Sequence, residues 1–229
     1  MLTAAEIANR IATVRARIAA AARRSGRAAD AITLVLASKT QPPEAVQAAY
    51  DAGARDFGEN YVQEAGAKRA ALGELHGARW HLIGHLQTNK AKLAVSIFDL
   101  IQSLDSARLA AALAKARRAP LVRALVEVNL GGEATKTGAA PGSLEELLAA
   151  ARDQVEIAGL MTIPPPGDGP DASRRYFAEL RAIRDRLAAH SGLALSELSM
   201  GMTDDFAIAI EEGATIVRVG RAIFGERTR

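Results

Sequence analysis

Strand-like and helix-like segments alternate along this chain of 229 residues, and the alternation gives eight strand candidates. Each strand candidate is a short run of apolar or alternating residues, and seven of the eight are followed by a segment with helical spacing of its apolar residues. The strand candidates are residues 32–38, 54–60, 79–84, 97–104, 121–130, 155–163, 197–202 and 215–220. Eight parallel strands joined by helices can close into a (β/α)8 barrel, a fold that typically takes about 250 residues.

The predicted helices follow the strands after short connections. They cover residues 42–54, 61–72, 88–95, 106–119, 143–153, 171–190 and 204–214, and a short turn follows the last strand. This order predicts an α/β fold, a single (β/α)8 TIM barrel. An open, doubly wound parallel sheet is the alternative architecture.

An additional amphipathic helix is predicted before the first strand. Its apolar face consists of Ile7, Ile11, Val14 and Ile18, and Thr3 with Glu6 has the spacing of a capping box. We expect residues 1–27 to pack on the barrel and residues 1–229 to form one domain, without a C-terminal β-domain.

Composition excludes several classes of protein. Hydrophobic residues make up 49% and charged residues 24% of the chain, which is typical of a globular protein. The absence of cysteine excludes disulfides and thiolate metal sites. A net charge of +3 and only 4% aromatic residues disfavour a nucleic-acid partner. No segment has the pattern of a signal peptide or a membrane span, so we expect a cytoplasmic protein.

The residues that end the strands are the functional candidates, because barrel active sites lie at the carboxyl ends of the strands. Lys39 directly follows the first, apolar strand, whereas the other five lysines lie in helical or loop segments rich in polar residues. Burial lowers the pKa of a lysine and favours the neutral amine that attacks a carbonyl carbon. The alternative is that Lys39 lies at the rim with its amine in solvent.

Two segments near the C-terminus predict a phosphate site. The loops after strands seven and eight of this fold commonly bind phosphate with backbone N–H groups. Ser199, Gly201 and Thr203 follow the seventh strand, with Thr203 as the predicted N-cap of the next helix, and Gly220 follows the eighth. Together with Lys39, these residues favour a ligand that carries both a carbonyl and a phosphate group.

Arg218 lies inside the apolar eighth strand, where a guanidinium needs a hydrogen-bond acceptor. The predicted acceptor is either a carboxylate such as Glu211 or Asp204, or an atom of a bound ring. His81 and His85 have no carboxylate or histidine at ligand spacing, so we interpret them as hydrogen-bonding groups and predict no metal site.

Eight sequence segments together resemble the YggS/PROSC family of pyridoxal 5′-phosphate (PLP) homeostasis proteins, over nearly all of residues 5–226. These segments are ASKTQP, FGENYVQE, WHLIGHLQTNK, QSLD, VNLGGEATKTG, GLMTI, LSMGMTDDF and VRVGRAIFG. The last segment contains Gly220 and the turn that follows it. The resemblance implies a fold-type III barrel, similar to the N-terminal domain of alanine racemase. It also implies PLP as the cofactor, held as an internal aldimine on Lys39.

The same resemblance assigns further residues to the cofactor. Ser199 and the backbone near Gly201, Gly220 and Arg221 would hold the phosphate, with Thr203 beside them. Arg218 would face the pyridine nitrogen, and the ring would be lined by Asn60, Met161 and the segment from His81 to Gly84. The family often has serine at the position of Thr203 and threonine at the position of Arg221, so one hydroxyl is retained here and one is replaced by a guanidinium.

A carrier of PLP is the predicted function, in vitamin B6 homeostasis and without robust catalytic activity. An arginine at the pyridine nitrogen weakens the ring as an electron sink, and the β-domain that supplies a second acid or base in the racemases is not expected here. The alternatives are a weak amino-acid racemase and a cofactor-free Schiff-base aldolase. Lys136, in the glycine-rich loop 131–142, is a second candidate PLP contact. We expect a monomer or weak dimer, with PLP-dependent apoenzymes as candidate recipients.

Overall fold

A computed structural model describes residues 2–117, 119–133, 137–165, 167 and 170–226. Within these residues, eight strands form one closed sheet in which each strand pairs with its neighbours in sequence and β8 pairs with β1. The strands are β1 (Thr33–Ala37), β2 (Asp56–Glu59), β3 (Arg79–Leu82), β4 (Leu100–Leu104), β5 (Arg123–Glu127), β6 (Glu156–Met161), β7 (Glu197–Ser199) and β8 (Ile216–Val219). All eight pairings are parallel, which confirms the predicted TIM barrel and excludes the open sheet.

The α-helices of the described residues follow the predicted order. They are α1 (Ala4–Arg24), α2 (Pro43–Asp51), α3 (Val62–Leu72), α4 (Ala91–Ile97), α5 (Ala107–Ala116), α6 (Leu144–Ala151), α7 (Arg174–Ser191), α8 (Phe206–Glu211) and α9 (Arg221–Phe224). The predicted helical segments after the strands begin one to three residues before these bounds, and several end up to three residues after them, because turn residues at helix ends share the polar character of the exposed faces. Two helices instead end later than predicted: α4 continues to Ile97, which was predicted to lie in the fourth strand, and α7 continues to Ser191.

Two apolar layers stabilise the barrel. The larger layer lies between the strands and the surrounding helices and includes the buried face of α1, which packs against α2, α8 and α9. A smaller cluster fills the barrel interior with side chains from five of the strands: Val35, Leu100, Leu125, Ala158, Met161 and Ile216. Because side chains alternate between the two faces of a strand, the next inward positions along β1 and β8 lie above this cluster, at the carboxyl ends.

The capping box of α1 is formed as predicted. The Glu6 amide donates to Thr3 Oγ1 at 3.2 Å, and the Thr3 amide donates to Glu6 Oε2 at 2.7 Å. Both bonds satisfy N–H groups that have no partner inside the helix.

Replacing Thr3 with alanine is expected to lower the free energy of unfolding by about 1 kcal/mol, because the first turn loses its side-chain acceptor. The midpoint of thermal unfolding would fall by about 2–4 °C for a chain of this size. Thr13→Ala is the matched control, since its hydroxyl only donates back to the Asn9 carbonyl oxygen within the same helix. Equal melting curves for the two variants would contradict a stabilising cap.

Among the residues that the structure describes, none of the helices has an apolar stretch long enough to traverse a lipid bilayer.

Candidate functional site

A cavity of about 640 Å³ opens at the carboxyl end of the barrel. Six of the predicted cofactor residues line it: Lys39, Asn60, Thr203, Arg218, Gly220 and Arg221. They come from the ends of β1, β2, β7 and β8, which are far apart in sequence and adjacent in the closed sheet. The barrel therefore brings the predicted amine and the predicted phosphate cradle into one site.

Strand alternation places Lys39 and Arg218 in this cavity. Along β1, Val35 belongs to the interior cluster, and Lys39, four residues further on, lines the cavity. Along β8, Ile216 belongs to the interior cluster, and Arg218 is the next inward position. The lysine that follows an apolar strand thus projects toward the barrel mouth, and its side chain is only partly exposed.

Arg218 is buried, with 3% of its surface exposed. It donates to Ser199 Oγ at 2.6 Å and to the Thr162 carbonyl oxygen at 2.9 Å. The expected carboxylate partners are wrong, because Glu211 binds Arg24 and Arg174 on the outer surface. Burial lowers the pKa of Arg218 to about 10, so the guanidinium stays charged at neutral pH.

Thr203 and residues of α9 also line the cavity. The prediction that Thr203 is the N-cap of α8 is wrong, because Asp205 occupies that position. The Asp205 carboxylate accepts from the Met202 amide at 2.7 Å. Thr203 Oγ1 instead accepts from the Ala222 amide at 3.3 Å. This bond joins the loop after β7 to the helix after β8. Arg221, on the rim, forms an ion pair with Asp204.

Two glycines of the site allow close backbone approach. A Cβ at Gly220 would lie 3.0 Å from the Ala37 carbonyl oxygen, so this position keeps the ends of β8 and β1 close together. A Cβ at Gly84 would lie 2.5 Å from the Asn60 carbonyl oxygen. Gly84 therefore packs against the backbone of Asn60 and is not among the residues that line the cavity.

Four other predicted residues also lie behind the cavity wall: His81, Met161, Ser199 and Gly201. Met161 is part of the interior cluster. Gly201 has φ +91° and packs against α8, where a Cβ would lie 2.5 Å from the Ala209 Cβ. Ser199 is beneath Arg218, whose guanidinium it binds. Lys136 lies outside the described residues.

Neither histidine has a carboxylate at ligand spacing in the sequence, but each lies beside an aspartate from a distant part of the chain. His81 Nε2 lies 2.9 Å from Asp56 Oδ1, and His85 Nδ1 lies 3.2 Å from Asp105 Oδ2. The aspartates are 25 and 20 residues away in sequence, so no local spacing could have indicated the pairs. The described part of the chain contains no group of three or more histidine and acidic side chains suited to a metal ion.

Lys68 is a buried residue next to the site that was not predicted from the sequence. Its side chain is buried, and Nζ donates to Glu59 Oε1 at 2.6 Å, to Glu64 Oε1 at 3.2 Å and to the Ser38 carbonyl oxygen at 2.8 Å. Glu59 is fully buried, and its burial raises its pKa above the ordinary value although Lys68 and Ser38 oppose the shift. Lys68 thus holds the backbone immediately before Lys39. The spacing of Glu64 and Lys68, four residues apart on one helix, was the available signal.

The residues of the cavity fit PLP in three respects. A primary amine, a buried cation and a hydroxyl beside a helix start face one volume. Asn60 Oδ1, at the cavity wall, is buried and has no hydrogen-bond partner within the described residues, so it can accept from a ligand. The cavity is also large enough for a ligand of this size.

Residues 10–228 match the family of the alanine racemase N-terminal domain, which is the class of barrel that this fold and site define. A pyridoxal phosphate homeostasis protein of Aquifex aeolicus is 46% identical over 222 residues, which cover 95% of this chain and 97% of that protein. Two solved structures of PipY from Synechococcus elongatus, one without PLP and one with PLP bound, are 39% and 38% identical, with TM-scores of 0.86 and 0.85. Each match covers 96% of this chain and 100% of the PipY chain.

The chain belongs to the family of the pyridoxal phosphate homeostasis proteins. The resemblance inferred from the sequence segments is confirmed.

Proposed function

We propose that this protein binds PLP in the cavity at the barrel mouth and carries or buffers it in vitamin B6 homeostasis, without robust catalytic activity. The observation that carries the proposal is that Lys39, Arg218, Thr203 and Gly220 all line one cavity. The names of the relatives and the PLP-bound PipY structure support the same ligand.

Each wall of the cavity has a proposed part in binding. Bound PLP supplies an aldehyde that condenses with a primary amine and a pyridine ring that can accept electrons. Lys39 provides the amine, and Arg218 donates an N–H toward the ring nitrogen. Thr203, the backbone at Gly220 and the side chain of Arg221 hold the phosphate by hydrogen bonds and charge.

Arg218 favours a carrier over a catalyst. A guanidinium with a pKa near 10 remains protonated at neutral pH and donates hydrogen bonds without releasing a proton. The ring nitrogen opposite it would stay unprotonated, which weakens the ring as an electron sink.

The side chains that line the cavity point the same way. Racemisation needs a proton donor on each face of the substrate carbon. Among the described residues that line the cavity there is no histidine, tyrosine or cysteine, and the two carboxylates, Asp204 and Glu226, both lie beside Arg221. Lys39 is then the one amine at the described cavity wall that could exchange a proton with a bound substrate.

The absorption spectrum of the purified protein tests the proposal, recorded before and after borohydride reduction, with the reduced peptide mapped by mass spectrometry. We expect a yellow chromophore that reduction fixes on Lys39. A colourless protein that takes up no added PLP would overturn the proposal and favour the cofactor-free aldolase.

A second assay separates carrier from enzyme. Exchange of the α-hydrogen of alanine is followed by NMR in deuterated water, with loaded protein. We expect exchange no faster than with free PLP at the same concentration. Rapid exchange that disappears in a Lys39→Ala variant would establish a racemase-type enzyme. Transfer of PLP to an apoenzyme, followed by the recipient's recovered activity, then tests the carrier role directly.

A further inference from the structure

A chain of buried side-chain hydrogen bonds crosses the barrel interior beneath the cavity. Arg218 Nη1 lies 2.6 Å from Ser199 Oγ, and Ser199 Oγ lies 2.6 Å from Gln102 Oε1. Gln102 Nε2 lies 3.0 Å from His81 Nδ1, and His81 Nε2 lies 2.9 Å from Asp56 Oδ1. The members come from β8, β7, β4, β3 and β2, and all are buried.

The chemistry of the two ends sets one direction for the donors. The arginine side chain has no hydrogen-bond acceptor, so Ser199 Oγ accepts from Arg218. The Ser199 hydroxyl then donates to Gln102 Oε1. The amide nitrogen of Gln102 then donates to His81 Nδ1, which must be unprotonated. The imidazole hydrogen is left on Nε2, where it donates to the Asp56 carboxylate.

The opposite orientation of the Gln102 amide is disfavoured. The oxygen of Gln102 would then face His81 Nδ1, which would have to carry a proton to donate. In a neutral ring Nε2 would then be unprotonated, so two acceptors, Nε2 and the Asp56 carboxylate, would face each other. Only a doubly protonated ring could satisfy both neighbours. Neutral His81 therefore fits the chain in one direction only, from Arg218 to Asp56.

Asp56 anchors the far end of the chain. Its carboxylate also accepts from Arg79, with Nε at 2.8 Å from Oδ1 and Nη2 at 2.8 Å from Oδ2. Burial opposes ionisation of Asp56, but the hydrogen bonds from His81 and Arg79 outweigh it and hold its pKa below the ordinary value. The chain thus ends on an ionised acceptor that is fixed by a second cation.

We propose that Asp56, His81, Gln102 and Ser199 are positioning residues that hold Arg218 in a single orientation through a hydrogen-bond chain with one donor direction. Two of the five guanidinium N–H groups are used by Ser199 and Thr162, which leaves the others for the cavity. The consequence for PLP rests on the proposed function, whereas the donor direction and the orientation of Arg218 do not.

The first test is ¹⁵N NMR of the imidazole nitrogens in the protein without PLP. The chain has four histidines, and a His81→Asn variant assigns the signals of His81. We expect one protonated nitrogen, Nε2, in the wild type. In Gln102→Glu a carboxylate replaces the amide donor, so we expect both nitrogens of His81 to be protonated. Gln63→Glu, at an exposed position on α3, is the matched control.

Two results of this test would overturn the donor direction. One is a wild-type His81 that carries its hydrogen on Nδ1. The other is a Gln102→Glu variant whose His81 signals equal those of the wild type.

The second test follows Arg218. Gln102→Leu removes the acceptor of the Ser199 hydroxyl. Gln102→Glu keeps an acceptor there, so its Arg218 should behave as in the wild type. We expect the guanidinium N–H signals of Arg218 to exchange with water faster in Gln102→Leu only, and PLP to bind on the order of fivefold more weakly, as for one lost hydrogen bond. Ser103→Ala is the control, because the buried Ser103 hydroxyl has no hydrogen-bond partner within the described residues.

Unchanged Arg218 exchange in a folded Gln102→Leu variant would overturn the positioning role. If the wild-type protein takes up no PLP, the proposed function fails, and the NMR measurements still decide this inference.

Discussion

Replacement of Lys39 by alanine is expected to reduce borohydride-stable incorporation of PLP to background. Lys39 is the lysine that lines the described cavity, together with Arg218, Thr203 and Gly220. Without its amine, PLP would be retained only by hydrogen bonds and charge, and would be lost on gel filtration. The measurement is the absorbance of the desalted protein, followed by mass spectrometry of the reduced peptides.

Two variants make this result specific to the amine. Lys39→Arg keeps the positive charge but lacks a nucleophilic amine, so we expect it to behave as Lys39→Ala does. Lys92→Ala removes an exposed lysine on α4 and should label like the wild type. Full labelling of Lys39→Ala at Lys136 would assign covalent capture to the loop 131–142. Label on Lys68 would require the ion pair with Glu59 to open.

Replacement of Lys68 by methionine is expected to lower the free energy of unfolding by about 3–5 kcal/mol, since it leaves the carboxylate of Glu59 buried without its cation. The side chains of Lys68 and Glu59 are 4% and 0% exposed, so water cannot replace the lost partner. At about 2–4 °C for each kcal/mol, the thermal midpoint would fall by roughly 10 °C. Urea denaturation and thermal unfolding measure both quantities.

A double variant separates the ion pair from packing. Glu59→Gln combined with Lys68→Met removes both charges, and we expect it to recover most of the stability lost in the single lysine variant. Lys92→Met is the surface control and should change stability by less than about 0.5 kcal/mol. A double variant no more stable than Lys68→Met would assign the loss to packing of the lysine stem.

The same variant should acquire a pH dependence of known sign. Burial raises the pKa of Glu59 in the folded protein, so the folded state binds this proton more tightly than the unfolded chain does. Without Lys68 the pKa would rise further. We therefore expect the stability of Lys68→Met to fall as pH rises from about 4.3, the ordinary glutamate value, through the raised folded value. Its deficit relative to the wild type should be smallest at acid pH.

Lys68 also connects stability to the site. It donates to the carbonyl oxygen of Ser38, the residue before Lys39, so its loss releases the backbone next to the Lys39 amine. We expect Lys68→Met to bind PLP more weakly than the wild type even at temperatures where it remains folded.

Local patterns were sufficient for the order of elements and for several residues that line the cavity. Apolar periodicity depends on neighbours within a few residues, and it indicated all eight strands and the capping box at Thr3 and Glu6. The lysine after an apolar strand and the two glycine-containing loops near the C-terminus were visible for the same reason. The barrel closure then followed from the number of strands.

Partners from distant strands could not be predicted in this way. Ser199 and Gln102 are 97 residues apart, and Arg218 and Thr162 are 56 residues apart, so their pairing exists only once the sheet has closed. This is why the sequence offered only a carboxylate or a bound ring as the acceptor for Arg218, why the Asp56 partner of His81 was not predicted, and why Lys68 was grouped with the lysines in polar segments.

The sequence by itself therefore determined the architecture, the family and the lysine at the end of β1, because these are encoded in short-range spacing and in ordered segments. Only the tertiary structure decided which residues face the cavity, which lie behind it and which buried charges neutralise one another. Those properties depend on the twist and register of eight strands that approach from the whole length of the chain.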